Sequence, residues 1–162
     1  MKAIVVVDKF WGIGRKNDLL FRLKKDMAFF KQTTTGKVVV MGANTFFSFP
    51  NGALPNRVNI VLDDQMRNFD GATTVGSIDQ LLQDVNSYNT DDVFVIGGAS
   101  VYKQMLPYCN TVYVTKVDAD GGAEVFFPNL DEMFDWQLLN ESEPIDDNGK
   151  MLRFCTYVCK NL

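Results

Sequence analysis

Segments at residues 3–7, 38–41, 58–62, 93–96 and 111–117 read as buried strands, and most are short continuous Val and Ile runs, which suggests a sheet covered on both faces because a half-wet strand would alternate apolar and polar residues. Between them, apolar residues recur at helical spacing near 25–34, 44–48, 78–85 and 99–106. Ser77 has the profile of an N-cap for the third of these helices, and Pro107 stops the fourth. This order predicts an α/β fold: a mostly parallel central sheet with right-handed crossovers and flanking helices. Residues 136–141 and 151–158 read as a C-terminal antiparallel hairpin on the sheet edge, with Asn148-Gly149 as its turn. No repeat, low-complexity tract or linker divides the chain, so one domain over residues 1–162 is expected.

One position departs from the pattern. Asp26 falls on the apolar side of the first helix, in line with Leu23 and Phe30, while Lys24, Lys25 and Lys31 take the other side. A carboxylate there needs a raised pKa, a polar partner or both, which is the profile of a functional acid. An acid near a helix start also simply favours the N-terminal dipole, and that reading stays open. The chain has no histidine, which removes the usual triads and the commonest proton shuttle at neutral pH. Two strand ends break at glycine and enter helices, at Gly42-Ala43-Asn44-Thr45 and at Gly97-Gly98-Ala99-Ser100. Such turns expose backbone N–H groups to an anion, and paired glycines admit a pyrophosphate; plain tight turns are the alternative. Neither continues as G-x-G-x-x-G, nor does Gly12-Ile13-Gly14. Two such turns in one sheet favour a nucleotide ligand.

Composition narrows the classes. A net charge of −4 with acids and bases interspersed gives no footprint for nucleic acid. Apolar stretches are far short of a membrane span and the N-terminus lacks signal-peptide architecture, so a cytosolic protein is expected. Cys109, Cys155 and Cys159, without histidine, do not suggest a closed zinc site; they are expected to be buried apolar thiols.

Six segments in order carry a resemblance: Gly12-Ile13-Gly14, the run from Leu23 through Asp26 to Phe30, Met41-Gly42-x-x-Thr45, Leu54-Pro55-x-Arg57-x-Asn59, Ile96-Gly97-Gly98-x-x-Val101-Tyr102 and Val112-Tyr113-Val114-Thr115. Together they span almost the whole chain, which resembles dihydrofolate reductase. The resemblance implies that Asp26 hydrogen-bonds the pterin ring and promotes protonation of N5 while a nicotinamide delivers hydride to C6, and that Thr115 bonds and orients Asp26. It implies that Val5, Val6, Met27, Phe30, Phe49 and Leu54 line the substrate and that Arg57 grips its glutamate carboxylate. Ile13, Gly14, Asn17 and Leu19 would belong to a flap over the nicotinamide, with Phe21 beside the reacting ring. Gly42, Ala43, Asn44, Thr45, Leu62, Asp63, Asp64, Gly97, Gly98, Ala99, Ser100, Val101, Tyr102 and Gln104 would hold the cofactor, NADPH in this family. No metal or flavin is implied, and a monomer is expected.

The chain departs from the family pattern in two places. Leu20-Phe21 stands where Pro-Trp is usual, so the indole donor is missing. Ala43 and Asp63-Asp64 stand where the family places a basic residue and uncharged or basic ones around the extra phosphate of NADPH. Both changes oppose a dianion, so a relaxed or NADH-leaning cofactor preference is expected. Competing readings are a reductase of the same fold acting on a ribosylated pyrimidine in flavin biosynthesis, and a non-catalytic pterin- or nucleotide-binding protein.

Overall fold

The computed structural model describes residues 1–16 and 18–160. Its strands are β1 (Lys2–Val7), β2 (Gly12–Arg15), β3 (Asp18–Leu19), β4 (Val38–Gly42), β5 (Val58–Leu62), β6 (Thr73–Val75), β7 (Val93–Gly97), β8 (Thr111–Val117), β9 (Val125–Phe126), β10 (Trp136–Glu141), β11 (Ile145–Asp147) and β12 (Lys150–Cys159). The α-helices are α1 (Lys24–Thr34), α2 (Ala43–Phe47), α3 (Ile78–Val85) and α4 (Ala99–Met105). The central sheet runs β10-β12-β8-β1-β7-β4-β5-β6. Strands from β8 to β6 pair in parallel, and β12 and β10 add antiparallel at one edge.

Continuous apolar runs are needed because both faces are covered. Along β4, Val38 and Val40 pack with Leu81 and Val85 of α3 and Met105 of α4, whereas Val39 and Met41 pack with Phe46 and Phe69 on the other face. Val39, Val40 and Met41 are wholly buried, each contributing roughly 1.5–3 kcal/mol relative to exposure. Helix α1 lies on the second face, where Phe29 meets Tyr113 of β8 and Phe154 of β12. The five buried strands and four helices expected from the sequence are all present, and Ser77 caps α3 by accepting from the Gln80 N–H.

The expected C-terminal antiparallel pair is present as β10 and β12, but its turn differs. Asn148-Gly149 does not join β10 to β12; it joins the intervening β11 to β12, with φ of 54° and 87°, the conformation of a type I′ turn. The long β12 serves two partners on that side, β11 along its first residues and β10 along its last. A second small sheet, β3-β2-β9, was not foreseen, since strands of two to four residues rich in glycine carry no periodic signal. Among the described residues no helix is long and apolar enough to cross a membrane.

Candidate active site

Parallel pairing brings the carboxyl ends of β1, β4, β5, β7 and β8 to one edge, with Val6 opposite Thr115, Met41 opposite Gly97 and Gly42 opposite Leu62. Helix α1 presents Asp26 there in its first turn. Burial raises the Asp26 pKa above the ordinary carboxylate range; a hydrogen bond with the buried Thr115 hydroxyl opposes this, and the Asp147 carboxylate adds to it. From α4, the buried Tyr102 hydroxyl lies within the field of Asp26 and donates to the Ile4 carbonyl at 2.7 Å; burial first, and that field second, push its pKa up. Asp26 can therefore keep a proton to higher pH than a free aspartate.

The apolar side chains expected to line the substrate fall in separate clusters. Val6, Phe21 and Leu23 share a cluster with Val117 and Leu152, and Phe49 and Leu54 belong to the cluster around Phe46. Val5 is buried in the main core, Phe30 is half-buried, and Met27 is 49% exposed, the exposure a ligand wall needs. Asn59 fixes the adjacent loop: its side chain accepts from the Leu54 N–H and donates to the Leu54 and Arg57 carbonyls. Arg57 is half-buried, its Nε donating to the Pro55 carbonyl at 2.9 Å and its Nη1 to Thr34 Oγ1 at 3.1 Å. Burial lowers its pKa, and among the described residues it forms no ion pair, so its fork remains available to a carboxylate.

The two glycine turns meet across β4 and β7. Gly97 has φ of 129°, and a Cβ there would sit 3.3 Å from Thr45 Oγ1; a Cβ on Gly42 would sit 3.1 Å from Val101 Cγ2. The first turns of α2 and α4 start beside this bare backbone, with Ala43 and Ala99 half-buried and Asn44 and Ser100 exposed. Gln104 folds back to donate to the Ser100 hydroxyl and carbonyl. A backbone cradle that any side chain would fill, flanked by a hydroxyl and two helix starts, suits a dinucleotide.

Past β5, Asp63 does not face outward as a free acid. Its carboxylate is buried and accepts from the Arg67 guanidinium at 2.9 and 3.1 Å and from the Gln65 and Arg67 N–H groups. Those bonds hold its pKa down at about 2, and Arg67 also covers the rings of Phe47 and Phe69. Asp64 is the exposed acid of the pair.

In the small sheet, Ile13 and Gly14 are buried, and Gly14 pairs with both Leu19 and Val125. Leu19 is exposed; Asn17 lies outside the described residues. Cys109 and Cys155 are buried, their thiols pushed up to about 12 and about 11 by burial, so they are poor nucleophiles; Cys159 is partly buried. A separate cavity of about 510 Å³, lined by Asp8, Lys9, Lys116, Asp131, Glu141 and Arg153, lies away from Asp26. Its Lys116–Asp131 and Arg153–Glu141 pairs satisfy one another.

The dihydrofolate reductase family model matches residues 1–160. The chain belongs to the dihydrofolate reductase family. It is 37% identical to the dihydrofolate reductase of Bacillus subtilis, over 92% of this chain and 88% of that one. The Haemophilus influenzae enzyme is 35% identical over 85% and 84%, and that of Schistosoma mansoni 32% over 97% and 95%. Among solved structures, dihydrofolate reductase from Enterococcus faecalis complexed with NADP(H) and RAB-propyl superposes with a TM-score of 0.88 at 28% identity, covering 99% of this chain and 96% of that one. Two residues that shape this site carried no role in the sequence reading. Asn59 was visible in its motif but only as a marker, and Asp147 had no local signal.

Proposed function

We propose that this chain reduces 7,8-dihydrofolate to tetrahydrofolate with a reduced nicotinamide dinucleotide, and that Asp26 promotes protonation of the pterin N5. The observation that carries this is a carboxyl with a raised pKa, bonded to Thr115, at the same sheet edge as the paired glycine turns. When bound, the dinucleotide supplies the hydride taken up at C6. Asp26 hydrogen-bonds the ring and holds the proton; Val5, Val6, Met27, Phe30, Phe49 and Leu54 keep water from it; Arg57 takes the glutamate carboxylate. Ile13, Gly14 and Leu19 would cover the nicotinamide and exclude water from it. Phe21 fills the place of an indole without its N–H, which tunes turnover rather than abolishing it. The free Arg57 fork favours a folate over a ribosylated pyrimidine. On the same reading the chain acts as a monomeric single domain.

The cofactor preference follows from three side chains. Ala43 offers no cation to a ribose phosphate, Asp63 neutralises Arg67, and Asp64 is exposed nearby. A lost charged hydrogen bond costs about 1.5–3 kcal/mol, or roughly ten- to a hundred-fold in affinity, so NADPH and NADH are used with comparable efficiency. Parallel titrations with both cofactors test this. Ala43→Arg combined with Asp63→Ser should raise the ratio of NADPH to NADH affinity by about ten-fold or more; an unchanged ratio sinks the assignment.

A further inference from the structure

Helix α1 begins without a cap of its own. Leu23 at the N-cap has no side-chain acceptor, and helices leave their first N–H groups unbonded. The missing acceptor arrives from the far end of the chain: Asp147 Oδ2, at the end of β11, accepts from the Lys25 N–H at 2.8 Å and is only 5% exposed. The same hairpin grips this end twice more. Lys25 Nζ donates to the Asp146 carbonyl at 2.6 Å, and Lys150 Nζ stands 5.6 Å over the Phe21 ring. Ile145 and Leu152 pack with Leu23 and Phe21. Asp26 is the next residue after Lys25.

We propose that Asp147 is a positioning residue for Asp26: the β11–β12 hairpin clamps the first turn of α1 through it and places a second negative charge beside the acid. The proposal rests on Asp26 being the group whose proton the reaction needs. The charged and titratable groups facing Asp26 are Asp147 from β11 and Tyr102 from α4, with the Thr115 hydroxyl from β8; on its own helix Lys24 and Lys25 are exposed on the other side, and Lys25 Nζ is engaged by the Asp146 carbonyl. Of the charged groups, Asp147 is the one whose field holds the Asp26 proton on, in agreement with the direction of its pKa.

The test is the pH profile of hydride transfer in the full chain with NADPH and dihydrofolate. Asp147→Asn keeps an oxygen for the Lys25 N–H but removes the charge, so the falling limb should move to lower pH. Asp147→Ala should show the same move with an additional rise in KM, because the first turn also loses its cap. Asp26→Asn distinguishes the two readings. If its profile keeps the original limb, Asp26 is not the proton-holding group and the functional assignment fails. If that limb is lost in Asp26→Asn but unmoved in Asp147→Asn, the proposal for Asp147 fails. Amide exchange in the unaltered protein tests the clamp independently of any variant. The Lys25 N–H should be protected despite its place in the first turn, and free exchange there overturns the proposal.

Discussion

Asp26 combines two demands that conflict. To hold a proton to higher pH than a free aspartate it must be desolvated, and desolvation makes its charged form costly to the fold. A raised folded-state pKa gives stability that is fully present below the unfolded value of about 3.9 and is lost as pH rises through the folded value. Asp26→Asn should therefore melt with the parent at low pH and at higher temperature than the parent at neutral pH, as a thermal scan across pH would show. Its turnover should drop by about 10²- to 10⁴-fold. The acid was legible in the sequence because a lone carboxylate interrupts an apolar helical stripe. Its partners were not: Thr115 entered only through the resemblance, and Asp147 lies 122 residues from the N–H it accepts, beyond any local pattern.

Among the elements, the turns carry the site and were the hardest to foresee. The Asp63–Arg67 turn after β5 shows why: the sequence gives two adjacent acids, but not that one of them folds inward onto a guanidinium four residues on. Its depressed pKa gives stability present above the unfolded value of about 3.9 and lost as pH falls through about 2. Asp63→Asn should flatten that acid limb in denaturant titrations, and a limb of unchanged depth would show that the ion pair does not contribute. The hairpin turn behaves likewise. Asn148 and Gly149 both need positive φ, which Asn tolerates and Gly adopts freely. Gly149→Ala should cost about 1–2 kcal/mol by chemical denaturation. It should also raise KM for dihydrofolate, since the turn carries the clamp on α1.

Across the molecule, the continuous Val and Ile runs were enough to place the parallel strands, since only a sheet covered on both faces needs them. Strand order follows from pairings between distant segments, and that is where sequence pattern gives out. The β3-β2-β9 sheet is held largely by backbone pairing of residues such as Gly12 and Gly14, with no apolar period to betray it. The architecture explains why the site lies where it does: every parallel strand ends at one edge, and the acid and the glycine turns collect there from separate parts of the chain, while Arg57 stands at the amino end of β5 beside the last turn of α1. The decisive measurement is oxidation of reduced nicotinamide, followed by near-ultraviolet absorbance with dihydrofolate present, for the parent chain and Asp26→Asn across pH. Turnover should be rapid in the parent, fall as pH rises through the Asp26 pKa, and drop at least a hundred-fold at neutral pH in the variant. No turnover in the parent with either NADPH or NADH, or full turnover in the variant, would contradict the assignment of Asp26 as the acid of a dihydrofolate reduction.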